Sequence, residues 1–129
     1  MILIADDFES EITLLSGILS ELGFTDLIIA HDGAEAIKAL ESGVEFQAVI
    51  TDYNMPFRNG GEVVERALEL GVKKILLRSS HSVVTLRTKL AEIGVNNLES
   101  VEIICKKDFD ATELKIYLNE FLSKQLELF

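Results

Sequence analysis

Short strand-like runs alternate with longer helix-like runs along the chain, and this alternation limits the possible folds more than any other feature. Runs rich in Val, Ile and Leu predict strands at about residues 2–5, 27–30, 46–51, 74–78 and 101–106. Apolar residues at spacings of three and four predict helices at about residues 9–22, 36–40, 63–70, 83–93 and 111–126. Because crossovers between parallel strands are right-handed, we expect an α/β fold in which helices cover both faces of a doubly wound parallel sheet.

Length and charge narrow the classes of function. At 129 residues the chain fits one domain, and we expect residues 1–129 to form a single unit. The formal net charge of −10 disfavours binding to nucleic acid or to anionic lipid, because both need clustered Lys and Arg. The apolar runs are far shorter than the roughly 20 residues that cross a bilayer, and no signal-peptide pattern opens the chain. Together with the lone Cys105, these features predict a cytoplasmic location without membrane contact.

Acidic residues directly follow two of the predicted strands. Asp6 and Asp7 come after the first strand, and Asp52 comes after the third. The carboxyl ends of parallel strands share one edge of a sheet, where ligands collect, so we expect the three carboxylates to converge there. Two unit charges about 4 Å apart repel by roughly 4 kcal/mol at an effective dielectric near 20, and a cation is needed to offset them. A hard divalent ion with oxygen ligands, such as Mg²⁺, suits this site.

The ends of the last two strands add a hydroxyl group and a cation to the same edge. Ser79 and Ser80 follow the fourth strand, and Lys106 and Lys107 come at the end of the fifth. A carboxylate nucleophile, a divalent ion, a Lys and a hydroxyl donor together suit phosphoryl transfer, because the cations neutralise charge on the equatorial oxygens. A carboxylate that accepts the phosphoryl group becomes an acyl phosphate. These residues alone leave Asp52 either a metal ligand or the nucleophile.

The order and spacing of several motifs make the chain resemble the receiver domains of two-component response regulators. The acidic pair after the first strand resembles a motif of that family. So do residues 30–37, which lead into the second helix, and the run Asp-Tyr-Asn-Met-Pro at residues 52–56, with Gly60 after it. The resemblance covers essentially the whole chain. It implies the flavodoxin-like form of the fold, with five strands in the order 2-1-3-4-5 and five helices in alternation.

Carried over position by position, the resemblance implies a role for each polar residue at this edge. Asp52 resembles the phosphorylated Asp, and Asp6 and Asp7 resemble the metal-binding acids. Asn54 matches the residue whose backbone carbonyl completes the metal shell, with Asp52 as a further ligand. The side chains of Asn54 and His81 match positions that face the attacking water and tune the lifetime of the phosphoryl group.

Two further positions carry an ambiguity of register. Ser79 resembles the switch Ser or Thr, with its immediate neighbours as alternatives. Lys107 resembles the Lys of the family because Lys-Asp-Phe-Asp then runs parallel to the usual Lys-Pro-Phe-Asp, and Lys106 remains the alternative. Asp108 thus replaces the usual Pro, and Ile104 occupies the place where an aromatic residue often swings inward on activation.

The function implied is a phosphoacceptor switch that uses Mg²⁺ or Mn²⁺. A histidine kinase or histidine phosphotransfer protein would present phosphohistidine, Asp52 would take the phosphoryl group, and Ser79 would move inward. The response would appear on the fourth helix, fifth strand and fifth helix, where a homodimer or an output domain would dock. We expect Arg78, Arg87 and Lys89 to extend that surface. Such a chain catalyses its own phosphorylation and dephosphorylation but turns over no independent substrate.

Two other classes of protein stay open at this point. Asp108 and Ile104 depart from the family pattern, and these departures are compatible with an interaction module that needs no phosphorylation. A phosphohydrolase of the haloacid-dehalogenase type shares the sheet architecture. That family needs Asp-x-Asp after its first strand, where this chain has Asp-Asp-Phe from Asp6 onward.

Overall fold

The sheet of the computed structural model confirms the predicted architecture. The structure describes residues 1–96 and 98–123. The strands are Ile2–Ala5 (β1), Leu27–Ala30 (β2), Ala48–Thr51 (β3), Ile75–Ser79 (β4) and Val101–Cys105 (β5). All pairings are parallel, and the strands lie in the predicted order β2-β1-β3-β4-β5.

Helices follow the strands in alternation and cover both faces of the sheet. They are Glu9–Glu21 (α1), Gly33–Leu40 (α2), Gly60–Glu69 (α3), Val83–Glu92 (α4) and Ala111–Ser123 (α5). One core cluster joins α1 and α5 to the sheet through residues such as Leu19 and Leu118. The other joins α2, α3 and α4 to the opposite face through residues such as Val64 and Leu86. The predicted end of the last helix, residue 126, lies outside the described residues, and no described helix is long and apolar enough to cross a membrane.

A short 3-10 helix, Lys106–Asp108, was not predicted from the sequence. It begins directly after β5, which therefore ends at Cys105 and not at Lys106 as expected. The chain consequently turns at the first of the two successive lysines, before it reaches α5.

The register of the two central strands determines where the first acids lie. Ala5 on β1 lies beside Thr51 on β3, and the backbone N–H of Asp52 donates to the carbonyl oxygen of Ala5 at 2.9 Å. Ile4 and Ile50 both belong to the core cluster with α1 and α5. Side chains alternate along a strand, so Asp6 and Asp52, two residues further on, point toward that same face.

Side-chain caps fix the loops at this edge of the sheet. Asn59 and Glu62 form a reciprocal capping box at the start of α3, with both hydrogen bonds at 3.0 Å. Asp32 and Ser82 cap α2 and α4 through their side chains. An N-cap of this kind stabilises a helix by about 0.5–2 kcal/mol. The capping box thereby anchors the end of the loop that begins after Asp52.

Gly60 occupies a position where the fold leaves no room for a side chain. A Cβ atom there would lie 2.0 Å from the carbonyl oxygen of Asp52 and 2.7 Å from the Cα atom of Tyr53. We expect Gly60→Ala to displace the loop that carries Asp52 and to lower the free energy of unfolding by about 2–3 kcal/mol. Gly17→Ala in α1, where a Cβ meets nothing within 4 Å, is the control and should raise it by about 0.5–1 kcal/mol. Urea denaturation measures both, and equal effects would contradict the prediction.

Candidate functional site

The three predicted acids meet at the carboxyl edge of the sheet. Asp6, Asp7 and Asp52 each offer a carboxylate oxygen, and these oxygens all lie within 4.8 Å of one another. Asp6 and Asp52 are only 2% and 6% exposed, whereas Asp7 faces solvent. The cluster therefore has two buried carboxylates and one open side, an arrangement that is able to bind a metal ion.

Backbone amides orient the two buried carboxylates. Oδ1 of Asp52 accepts a hydrogen bond from the backbone N–H of Tyr53 at 2.7 Å. Oδ1 of Asp6 accepts one from the backbone N–H of Phe8 at 3.0 Å. In both residues the second oxygen, Oδ2, is directed toward a cation.

Lys106 supplies that cation. Its Nζ atom lies 3.3 Å from Oδ2 of Asp6 and 3.4 Å from Oδ2 of Asp52, and its side chain is 15% exposed. Lys107 is exposed and follows in the 3-10 helix. The sequence prediction that placed Lys107 against the acids is therefore corrected by one residue, to the alternative Lys106.

Strand alternation gives the physical reason for this correction. Ile104 on β5 belongs to the core cluster with α1 and α5, so the side chain two residues later, that of Lys106, points to the same face as the acids. The 3-10 turn takes up the additional residue before α5. Counted from Lys106, the place expected for an aromatic residue moves from Ile104 to Ile103, which packs on the α4 side of the sheet.

The charge balance of the cluster fits a divalent cation. Burial raises the pKa of Asp52 above its ordinary value, the charge of Lys106 lowers it, and the charge of Asp6 raises it again. Burial is the largest of these effects, and the pKa of Asp52 stays raised in spite of Lys106. The single ammonium group of Lys106 thus does not neutralise the negative charge of the three carboxylates. A cluster of oxygen ligands with excess negative charge favours the binding of Mg²⁺.

The remaining predicted residues lie at the same edge. Ser79 is fully buried at the end of β4, and its Oγ atom lies 3.5 Å from the backbone N of His81. The helix that follows is capped by Ser82, so Ser79 is not its cap. Nδ2 of Asn54 lies 2.9 Å from Nε2 of His81, which joins the loop after β3 to the loop after β4.

Two contacts were not predicted from the sequence. Arg78, expected on the surface with Arg87 and Lys89, is 4% exposed, and its Nη1 atom lies 2.5 Å from Oε2 of Glu11. On the opposite face, Nζ of Lys89 lies 5.6 Å from the ring centroid of Tyr53. Strand alternation after Leu76 would have placed Arg78 on the α1 side, but its partner is 67 residues away and leaves no local signal.

Comparison with known sequences identifies the family. Residues 2–119 match the response regulator receiver domain family. The chain is 33% identical over 101 residues to the chemotaxis protein CheY of Pseudomonas aeruginosa, covering 74% of this chain and 78% of that protein. It is 34% identical over 65 residues to the chemotaxis protein CheY1 of Helicobacter pylori. That second match covers 50% of this chain and 52% of CheY1, so it spans about half the length of that relative.

Comparison with solved structures agrees with the sequence match. The crystal structure of a response regulator receiver protein from Sinorhizobium medicae WSM419 is 27% identical, with a TM-score of 0.75. The match covers 94% of this chain and 92% of that chain. The fold and its acidic edge define the class of CheY-like signalling domains. The chain belongs to the response regulator receiver domain family, whose members are phosphoacceptors in two-component signalling.

The raised pKa of Asp52 predicts a stability effect in the metal-free protein. The folded state binds the Asp52 proton more tightly than the unfolded state, so this residue lowers stability as pH rises from 3.8 through its raised value. We expect Asp52→Asn to raise the free energy of unfolding by about 1 kcal/mol at neutral pH. Well below pH 3.8, where the wild-type carboxyl is protonated in both states, the difference should vanish.

Urea denaturation in the presence of EDTA measures this difference at both pH values. Asp108→Asn, at an exposed position, is the matched control and should leave stability nearly unchanged. A gain from Asp52→Asn that is equally large in acid would contradict the electrostatic explanation.

Proposed function

We propose that this chain is a phosphoacceptor in which Asp52 takes a phosphoryl group from a phosphohistidine, with Mg²⁺ or Mn²⁺ bound. The phosphohistidine would belong to a histidine kinase or a histidine phosphotransfer protein. The observation that carries the proposal is the buried carboxylate of Asp52, held beside Asp6 and 3.4 Å from Lys106 in a chain of the receiver family. We propose further that residues 1–129 form one such domain, and its cytoplasmic location stays a prediction.

Asp52 acts in this proposal as the nucleophile. A carboxylate oxygen of Asp52 attacks phosphorus, an O–P bond forms, and the N–P bond of the phosphohistidine breaks. The leaving imidazole keeps the electron pair of that bond and takes a proton from solvent. The hydrogen bond from Tyr53 N–H holds the Asp52 carboxylate in one orientation for this attack.

Asp6, Asp7 and Asp52 would hold the divalent ion through their carboxylates, and Asn54 through its backbone carbonyl. When bound, the ion supplies positive charge that offsets the acids and the equatorial phosphoryl oxygens. Asp7 lies on the exposed side of the cluster and therefore offers the side from which an ion enters.

Lys106 and Ser79 would bind the phosphoryl group itself. Formation of the acyl phosphate removes the carboxylate charge of Asp52, so the ammonium group of Lys106 would exchange that partner for a phosphoryl oxygen. The hydroxyl of Ser79 donates to another phosphoryl oxygen once it moves inward. Because Ser79 comes directly before the loop into α4, its displacement shifts the surface of α4, β5 and α5. That surface is where we propose that a homodimer or an output domain docks.

Asn54 and His81 would set the lifetime of the phosphoryl group. Asn54 comes two residues after Asp52, and His81 comes two residues after Ser79. Nδ2 of Asn54 lies 2.9 Å from Nε2 of His81. The joined pair restricts the approach of water to the acyl phosphate, so loss of the contact would speed hydrolysis.

A small phosphodonor tests the central claim. We expect the wild-type protein, incubated with Mg²⁺ and phosphoramidate, to gain the mass of one phosphoryl group in intact-protein mass spectrometry. EDTA should abolish the gain, and Asp52→Ala should prevent it because the accepting carboxylate is removed. Asp108→Ala, which removes an exposed acid, is the control and should be labelled like the wild type.

If folded Asp52→Ala protein is labelled as strongly as the wild type, Asp52 is not the phosphoacceptor. A folded wild-type protein that several phosphodonors fail to label would favour the phosphorylation-independent interaction module instead.

The two adjacent lysines give a second test with a built-in control. We expect Lys106→Ala to slow phosphorylation by about 100-fold, because it removes the cation that stabilises charge on the transferred group. Lys107→Ala should change the rate less than about twofold, since Lys107 is exposed. Stopped-flow measurement of the phosphorylation rate with phosphoramidate at saturating Mg²⁺ compares the two variants. A larger decrease in rate for Lys107→Ala than for Lys106→Ala would show that Lys107 is the functional lysine.

A further inference from the structure

Tyr53, the residue after Asp52, contacts the loop after β4 on one side and α4 on the other. Its ring makes an edge contact with the ring of His81, with 6.0 Å between the centroids and 90° between the planes. The Nζ atom of Lys89 on α4 lies 5.6 Å from the centroid of the Tyr53 ring. Tyr53 and Lys89 are both half-buried, so their contact is partly shielded from water. The aromatic ring therefore connects α4 to the imidazole of His81.

The contact between Asn54 and His81 continues this row of side chains to the site. Nδ2 of Asn54 lies 2.9 Å from Nε2 of His81, and Asn54 comes two residues after Asp52. His81 lies in the short loop between Ser79, where β4 ends, and the N-cap residue Ser82. Its imidazole is free to turn about two side-chain bonds unless neighbours hold it. A ring contact on one side and a hydrogen bond on the other together favour one orientation.

The contacts of Tyr53 involve its ring, whereas its backbone acts separately. Two aromatic rings favour an edge-to-face arrangement, and a cation favours the face of a ring, because the charge distribution of the ring is negative on the faces and positive at the edge. The backbone N–H of Tyr53 donates to Oδ1 of Asp52 at 2.7 Å and stays in place when the side chain is changed. Substitution of the ring therefore tests the side chain without removing the hydrogen bond that orients the Asp52 carboxylate.

We propose that Tyr53, held by Lys89, positions the imidazole of His81 against Asn54 and thereby prolongs the lifetime of the phosphoryl group on Asp52. This role rests on the proposed function, in which Asn54 and His81 restrict the approach of water, and it adds two positioning residues to that pair. Tyr53 acts through His81, and Lys89 acts through Tyr53. Loss of either contact releases the imidazole, so water reaches the acyl phosphate more often.

The step that these residues slow is hydrolysis of the acyl phosphate. The oxygen atom of a water molecule attacks phosphorus, and the O–P bond to Asp52 breaks. The carboxylate of Asp52 leaves with the electron pair of that bond. The inorganic phosphate formed keeps the protons of the water or releases one of them to solvent.

Decay of the label after removal of the phosphodonor tests this role. Protein labelled with phosphoramidate and Mg²⁺ is desalted into buffer with Mg²⁺, and intact-protein mass spectrometry follows the remaining label. We expect Tyr53→Leu to shorten the half-life by about three- to tenfold and Lys89→Met to shorten it by about two- to fivefold. Tyr53→Phe keeps the ring and should stay within about twofold of the wild type. Lys38→Met, at an exposed position of α2, is the matched control and should also stay within about twofold.

The double variant tests whether Lys89 acts through Tyr53. If it does, Lys89→Met has no further effect in Tyr53→Leu protein, since the ring that the ammonium group contacts is gone. Phosphorylation by phosphoramidate should proceed within about threefold of the wild-type rate in each variant, because Lys106 and the Tyr53 N–H still orient Asp52. A merely structural role of the ring would slow phosphorylation as well, since it would disorder the whole site.

The imidazole signals give a second readout, in the unphosphorylated protein. The chain has two histidines, and the other one, His31, lies near glutamates of α1 and α2. In proton–carbon NMR spectra recorded at one pH, we expect Tyr53→Leu and Lys89→Met to shift the ring signals of His81, because its neighbouring ring is removed or released. The ring signals of His31 should stay unchanged and serve as the internal control.

Each measurement has an outcome that would overturn the proposal. Wild-type half-lives in both Tyr53→Leu and Lys89→Met would do so, as would a half-life of Tyr53→Phe as short as that of Tyr53→Leu. An undiminished effect of Lys89→Met in the absence of the ring would exclude action through Tyr53. Unchanged His81 signals in both single variants would overturn the positioning role even if the wild type accepts no phosphoryl group.

Failure of the proposed function looks different from failure of this role. Folded wild-type protein that is not labelled contradicts the proposed function. Labelled wild-type protein, with variants that lose the label at the same rate, contradicts only the role of Tyr53 and Lys89.

Discussion

The site depends on one unfavourable contact, because the fold holds the carboxylates of Asp6 and Asp52 close together although they repel. β1 and β3 are central strands, each paired on both sides, and the hydrogen bond from Asp52 N–H to the carbonyl oxygen of Ala5 ties their ends together. The free energy that keeps them there comes from burying the apolar sheet, at about 25 cal/mol for each Å² removed from water, and not from the site. The cluster consequently favours any cation that reaches it, whether an ammonium group or a divalent ion.

The same constraint decides which parts of the site the sequence predicts. The position of Asp6 and Asp52 could be predicted because each follows the apolar run of a central strand. Burial of such a strand on both faces fixes its register, and the register fixes where the acid after it lies. The lysine could not be assigned in this way. β5 is an edge strand paired only with β4, it carries Ile103 and Ile104 in succession, and two successive lysines follow it. Neither the sequence of polar and apolar residues nor charge shows which lysine faces Asp52. Only the folded structure, in which Ile104 packs on the α1 and α5 face, decides for Lys106.

Contacts on the other side of Asp52 connect it to α4. The ring of Tyr53 makes an edge contact with His81, at 6.0 Å between centroids, and lies 5.6 Å from Nζ of Lys89 on α4. β5 carries no aromatic residue, and the ring between the site and α4 belongs to Tyr53, the residue after Asp52. These contacts join side chains that are distant in sequence, and single motifs around Asp52 therefore do not reveal them. Tyr53 therefore connects the loop after β3 to α4 by direct side-chain contact.

Arg78 shows why the role of a polar residue at a strand end depends on partners that local sequence does not reveal. Such a residue is usually exposed to solvent, but Arg78 is buried and pairs with Glu11 on α1. The two cations that come at the ends of β4 and β5 therefore have different partners. Lys106 pairs directly with Asp52 and Asp6, whereas Arg78 pairs with Glu11 on α1. The tertiary fold decides which carboxylate each cation reaches, so the residue type and its position at a strand end leave the partner undetermined.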